Sequence, residues 1–260
     1  MNEEEKQPFT DHLDELRKRL IVCFAAVAIG FAACYFFKEE LFYILVAPLQ
    51  KVMKSGDTLI YTHLPEAFFT FLKTALIAGL MLASPVILYE FWMFVAPGLY
   101  DREKRMMVPI LFLSVLFFVG GALFGYFIVF PFGFQFFLSF ATDTIRPMPS
   151  MKEYLGFASQ LLLAFGLVFE LPLVITFLAK LGIVSVDFLK KNRKYAILLF
   201  FVAAAILTPP DVITQFMMAM PLIALYEISI IGARIFGKKK DIENLNSADE
   251  TESDSGGSTE

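Results

Sequence analysis

Three acids in this chain could do chemistry that a buried or anchoring residue would not. Glu15 lies in Asp14-Glu15-Leu16-Arg17-Lys18-Arg19, and Glu103 lies in Tyr100-Asp101-Arg102-Glu103-Lys104-Arg105. Both sit among cations beside long apolar runs. Two carboxylates at one membrane surface can hold two guanidinium groups through bidentate, charge-assisted hydrogen bonds. The alternative for Glu15 is local. Asp14–Lys18 and Glu15–Arg19 are spaced i,i+4, and an exposed pair of that kind is worth about 0.3–0.5 kcal/mol. The alternative for Glu103 is a solvated, mixed-charge loop. The third acid, Glu170, lies in Gly166-Leu-Val-Phe-Glu170-Leu-Pro172, 10 residues before Lys180. At about 1.5 Å per helical residue it falls near the bilayer midplane. A carboxylate there costs about 2.5–3.5 kcal/mol on insertion scales. It is expected to be protonated, paired or turned toward a polar cavity. Two roles fit: a neutral acid bonded to a neighbouring helix, or a site of binding or transport. Thr208 and Gln215 flank Pro209-Pro210 and can either bond a partner helix or cap the turn.

The elements that must position these acids are membrane helices. The chain is 57% hydrophobic and only 18% charged, against about 25% charged in an ordinary soluble domain. Six apolar runs approach the ~20 residues needed to cross hydrocarbon. They are Leu20–Phe37, Leu72–Phe94, Met106–Phe130, Tyr154–Ala179, Tyr195–Leu207 and Val212–Ile231. The runs are continuous rather than alternating, which favours helices over barrel strands. Placing the N-terminus inside puts 16 of the 22 Lys and Arg residues on the cytoplasmic side. Both termini are therefore expected in the cytoplasm, with Arg17, Lys18 and Arg19 fixing the first span. The acidic N-terminus and the full-length first run read as a retained helix rather than a cleaved leader.

This gives an all-α polytopic membrane protein with the following expected organisation. Residues 1–19 form a cytoplasmic segment, 20–236 a six-helix transmembrane domain, and 237–260 a disordered acidic cytoplasmic tail. Outside loops are expected at about 38–71 and 131–153. The first carries Leu41, Leu45, Leu49 and Met53 at helical spacing, predicting an extramembrane or interfacial helix bent at Pro48. The second is irregular around Arg146-Pro147-Met148-Pro149. Such loops suggest a cap on the helices. The fifth run, with its Pro-Pro turn, predicts a hairpin of short fifth and sixth helices, too short for an ordinary bilayer. Gly121 and Gly125 form a GxxxG pair whose default meaning is close helix packing.

Other functions find little support. Cys23 and Cys34 are 11 residues apart in one apolar run and read as small apolar residues. The two histidines, His12 and His63, lie outside the spans. No metal spacing, nucleotide-binding loop or protease motif is present, so neither an enzyme nor a metal or other cofactor is expected. Nothing points to nucleic acid. A proton-coupled secondary transporter using Glu170 is the rival reading; it would call for repeat symmetry and further midplane charges, and neither is found. Without the seven acids after Lys240, the charge count is 22 basic to 19 acidic. The acidic tail is a separate, solvated object.

Four stretches, taken together and in order, resemble the TatC family, the multispanning receptor of the twin-arginine protein translocase. They are His12-Leu-Asp-Glu15-Leu-Arg17-Lys-Arg19-Leu, Ser84-Pro85 through Trp92, Phe94 and Pro97 to Glu103-Lys-Arg, Phe165-Gly-Leu-Val-Phe-Glu170-Leu-Pro, and Leu207-Thr-Pro-Pro-Asp211-Val. The resemblance covers about residues 7–236. It implies a concave, glove-like bundle in the bacterial inner membrane that recognises twin-arginine signals on folded precursor proteins. It further implies single-span TatA and TatB partners, self-association within a larger complex, surrounding lipid, and the proton motive force. Residue by residue, it implies that Glu15 and Glu103 contact the arginine pair. Arg17, Arg19 and Phe94 match positions linked to signal recognition. Glu170 matches the intramembrane acid, and Thr208 and Gln215 the polar docking site for partner helices. Pro48 and Asp211 match further sensitive positions. Ala205 departs from the methionine of some relatives at the docking patch, which touches the details of partner contact.

Overall fold

The computed structural model describes residues 7–53, 57–95, 107–142, 146–207 and 212–237, with side chains from His12 onward. Helices dominate them. In chain order they are α1 (Gln7–Tyr35), α2 (Lys38–Gln50), α3 (Glu66–Val95), α4 (Met107–Phe124), a π-helical turn (Gly125–Val129), α5 (Phe130–Leu138), α6 (Met151–Phe169), α7 (Leu171–Lys180), α8 (Val186–Lys191), α9 (Arg193–Leu207) and α10 (Val212–Phe236). Five stretches among the described residues are long and apolar enough to cross a membrane: His12–Tyr35, Glu66–Val95, Val108–Leu138, Met151–Lys180 and Val212–Phe236. The fifth expected run is α9, whose 15 residues extend only about 22 Å.

Several boundaries differ from the hydropathy reading, each for a local reason. Helix α3 begins at Glu66 rather than Leu72 because the Glu66 carboxylate collects the N–H groups of the preceding turn. The third span does not stop at Phe130. A π turn carries it into α5, with the Phe130 N–H bonding the Gly125 carbonyl. Pro131, near the start of α5, has no N–H to lose where the hydrogen-bond ladder changes register. The sixth helix is not short. Nothing after Ile231 breaks the ladder, and α10 continues through Gly232 to Phe236 for 25 residues, with Pro221 inside it. Only the α9 arm of the hairpin is short.

The contacts fall into two units, residues 1–170 with 205–217, and residues 171–204 with 218–260. In the first, α1 packs chiefly against α3. Pairings run in opposite directions, His12 with Phe94, Arg19 with Glu90 and Gly30 with Gly79, so the helices are antiparallel. A Cβ on Gly79 would lie 2.4 Å from the Phe31 backbone nitrogen. Only glycine permits that approach. Helix α4 packs on α6, where a Cβ on Gly121 would lie 2.4 Å from the Phe165 carbonyl oxygen. The GxxxG pair therefore serves packing. Trp92, Phe130, Phe165 and Val46 are fully buried, whereas Phe24, Ile29, Val108 and Phe112 are exposed. An apolar exterior of this kind is stable in hydrocarbon, not in water.

The loops before α3 and α6 are bonded to each other. Ile60 pairs with the stretch before α6: its N–H donates to the Pro149 carbonyl at 3.1 Å, and the Met151 N–H donates to the Ile60 carbonyl at 2.9 Å. Beside this bridge lies the buried Glu66. Its Oε1 accepts from Ser150 Oγ at 2.6 Å and Lys152 N at 3.2 Å. Its Oε2 accepts from Thr62 N at 2.8 Å, Thr62 Oγ1 at 3.0 Å and His63 N at 3.3 Å. One carboxylate thus satisfies donors from two loops.

In the second unit, Ser185 caps α8 by accepting from the Phe188 N–H at 3.1 Å. The Tyr226 hydroxyl donates to the Leu189 carbonyl at 2.9 Å, and Arg193 pairs with Glu227 at 2.8 Å.

Glu66→Ala removes the shared acceptor of both loops. We expect a clearly lower thermal unfolding midpoint in detergent and faster protease cleavage within residues 57–65 and 146–150. Glu153→Ala, at the neighbouring first turn of α6, should leave both measurements near the native values.

Candidate functional site

The first cluster lies where the start of α1 meets the end of α3. Arg19 is half-buried and bridges two acids. Its Nε and Nη2 donate to Glu15 Oε1 at 3.1 and 2.5 Å, and its Nη1 donates to Glu90 Oε2 at 2.9 Å. One turn from Glu90, Phe94 stacks on His12 with ring centroids 4.5 Å apart and an interplanar angle of 19°. Arg17 is exposed on the other side of α1. The i,i+4 pair expected for Glu15 and Arg19 is formed. Sequence reasoning missed Glu90. The available signal was an acid inside an apolar run of spanning length, which requires a cation at the same depth on an adjacent helix. Glu103 lies outside the described residues.

The second cluster is buried inside the first unit. Glu170 follows the last turn of α6, ahead of Pro172, and is 7% exposed. Ser114 of α4, fully buried, donates its hydroxyl proton to Glu170 Oε2 at 2.7 Å. The Ser114 hydroxyl oxygen in turn accepts from Trp92 Nε1 at 3.0 Å. The three side chains thus form one hydrogen-bonded chain from α3 through α4 to the α6 end. Glu170 Oε1 is buried with no hydrogen-bond partner among the described residues. Of the two roles open for this acid, the hydrogen bond to a neighbouring helix is formed, and the residue is buried. Ser114 was missed, since one serine in an apolar run carries no signal of its own. Gln215 is half-buried near the start of α10. Thr208 and Asp211 lie outside the described residues.

Pro48 lies inside α2 near its end. Having no N–H, it leaves the Ile44 carbonyl without its helical donor. The Tyr126 hydroxyl, from the π turn, donates to that carbonyl at 2.6 Å. The Tyr154 hydroxyl of α6 donates to the adjacent Leu45 carbonyl at 2.6 Å. The proline therefore frees a backbone acceptor that anchors α2 to its neighbour.

No group of three or more His, Cys, Asp and Glu side chains that could hold a metal occurs among the described residues. The arrangement offers binding chemistry: a guanidinium held between carboxylates, and a buried acid with an unfilled acceptor. The family model for the Sec-independent protein translocase protein TatC matches residues 11–221. The chain belongs to the TatC family. It is 65% identical over 250 residues to the Sec-independent protein translocase protein TatC of Desulforapulum autotrophicum, covering 96% of this chain and 93% of that one. It is 40% identical over 244 residues to the TatC of Escherichia coli strain K12, covering 94% and 95%. A crystal structure titled Twin Arginine Translocase Receptor TatC superposes with a TM-score of 0.79 at 42% identity, covering 86% of this chain and 99% of that one. As a TatC-family protein, the chain is a multi-pass membrane component of a protein translocase, not an enzyme.

Ser114→Ala leaves Trp92 Nε1 and Glu170 Oε2 without their shared partner, and should cost about 1–3 kcal/mol by denaturant titration in detergent. Ser159→Ala, which removes only a bond back to the Leu155 carbonyl, should cost much less. For the α2 anchor, Tyr126→Phe should cost about 1 kcal/mol in the native background. In a Pro48→Ala background the helix supplies its own donor to Ile44. The cost should then fall, giving a coupling measurable in a double-mutant cycle.

Proposed function

We propose that this TatC-family chain is the receptor for twin-arginine signal peptides on folded precursor proteins. The signal docks at the cytoplasmic face, with both termini of the chain on that side of the bacterial inner membrane. Glu15 and Glu103 bind the arginine pair, and Arg17, Arg19 and Phe94 shape the surface around them. The apolar part of the signal lies against the apolar face of the helices. Glu170, Thr208 and Gln215 offer a polar docking site to single-span TatA- and TatB-like subunits, and Pro48 and Asp211 are further positions sensitive to substitution. Assembly of several copies, driven by the proton motive force and eased by the short α9, carries the cargo across.

One observation carries this reading: a guanidinium already sits on Glu15. One oxygen of that carboxylate, Oε1, accepts from both Nε and Nη2 of Arg19, the forked edge that a signal arginine would also present. An ammonium cannot reproduce that fork. The buried Glu170, with one oxygen unpartnered among the described residues, supports the docking role, because a helix bringing a polar donor would fill it.

The test is a comparison of a fluorescent Arg-Arg signal peptide with its Lys-Lys counterpart on the purified full chain and on Glu103→Ala. The native protein should prefer Arg-Arg by about tenfold, equivalent to ~1.4 kcal/mol, and Glu103→Ala should lose most of that preference. Equal binding in all four combinations overturns the recognition mechanism.

A further inference from the structure

The Arg19 cluster contains more than the local pair that spacing predicts. Glu90 comes from another helix, 71 residues away in sequence, and grips the same guanidinium from the opposite side. Side-chain exposures are 18% for Arg19, 14% for Glu90 and 35% for Glu15. Resting on the signal-receptor reading above, we propose that Glu15 and Glu90 form a two-carboxylate cradle for one arginine of the signal. Arg19 is its resident occupant, and the incoming arginine displaces it.

Three physical arguments support this. First, the cradle is already shown to fit its ligand class. A guanidinium spans the two carboxylates through three hydrogen bonds of 2.5–3.1 Å. The signal presents the same planar group. Second, two acids this close at the edge of an apolar span cannot be left without a counterion. Unpaired, partly buried charges are strongly destabilising. An empty receptor therefore needs a cation of its own in the site, and Arg19 supplies it. Third, the exchange is nearly balanced, because the bonds broken at Arg19 are remade by the entering arginine. Arg19, on a long side chain next to the exposed Arg17 and Lys18, can swing to water or to lipid phosphates.

The cradle also sets specificity. An entering arginine recovers all three bonds, so its further contacts decide the outcome. An entering lysine, with a compact ammonium, cannot span the cradle in the same way and must evict an occupant that fits better. Competition with Arg19 lowers the apparent affinity of both ligands by the same factor, and the fit of the ligand to the two carboxylates supplies the discrimination.

The experiment measures Kd for Arg-Arg and Lys-Lys signal peptides on the full chain in lipid nanodiscs. The variants are Arg19→Gln, Arg19→Lys, Glu15→Gln and the double variant Arg19→Gln/Glu90→Gln. Removing the resident should tighten the Arg-Arg peptide by about threefold or more, because the competent state is no longer masked. The Lys-Lys peptide should gain by the same factor, because the resident masks the site equally for both, so the preference is kept. Arg19→Lys keeps the anchoring charge and should fall between native and Arg19→Gln. In the Arg19→Gln background, where nothing competes, adding Glu90→Gln should weaken the Arg-Arg peptide by about tenfold. The proposal is overturned if neither Arg19 variant binds Arg-Arg more tightly than native, or if adding Glu90→Gln changes nothing or weakens both peptides equally. If native and Glu15→Gln bind both peptides alike, the signal-receptor reading itself falls. If Glu15→Gln abolishes the preference while the Arg19 variants fail to tighten, that reading stands and only the resident arginine is wrong.

Discussion

A carboxylate at membrane depth cannot be left to solvent; the protein must neutralise it or hydrogen-bond it. Three buried or half-buried acids organise the first unit. Glu90 takes its partner from α1, 71 residues away, Glu170 from α4, 56 away, and Glu66 from the loop before α6, 84 away. Each pairing is non-local, so each fixes one segment against another. Lipid offers little net hydrophobic drive for helix association, since tails are as apolar as the side chains they replace. Close glycine contacts and polar links do that work instead. At the α1–α3 seam both occur, Gly30 against Gly79 in mid-helix and Arg19 with Glu90 toward one end.

The tyrosine tethers on α2 obey the same constraint. A proline at position 48 would leave a backbone acceptor bare, and in an apolar setting a bare carbonyl is costly. Tyr126 fills it from a π turn, the one place where the third span departs from regular geometry. The irregularity and the proline thus compensate each other. Neither is a defect by itself, and each alone would leave an unsatisfied group.

Much of this architecture was legible in the sequence, because hydropathy reports composition and composition sets the spans. The apolar runs, the short α9, the helix carrying Pro48 and the burial of Glu170 all follow from run length and residue type. What stayed hidden depends on who pairs with whom. Glu90 reads as one acid in an apolar run until Arg19 is opposite it. Ser114 is ordinary until Glu170 and Trp92 meet on its hydroxyl. Glu66 lies before the apolar run, so hydropathy assigns it to a loop, although its carboxylate starts α3. Pro131 looks like a terminator because the rule against interior proline assumes an unbroken α ladder, and the π turn removes that premise. Of the candidate site residues, Glu15, Arg19, Phe94, Glu170 and Pro48 acquire defined partners or contacts.

Helix geometry adds one relation that neither cluster reveals alone. Glu90 and Phe94 are i,i+4 on α3 and face α1, where they meet Arg19 and His12. Trp92 lies midway between them. At 100° per residue it points about 200° from Glu90, to the opposite side of the same turn. There it donates to Ser114, which in turn holds Glu170. The guanidinium cluster and the buried acid are therefore joined by a single turn of backbone. Trp92 is 1% exposed and Ser114 0%, so close packing leaves the indole almost no room to move independently of its helix. A shift of that turn toward or away from α1 must stretch or bend the bond to Ser114. A change in the Glu170 bond is likewise passed back to the backbone that carries Glu90 and Phe94. The buried acid and the arginine-holding cluster are thus both referred to one helix, α3, through Trp92 on one side and Glu90 on the other.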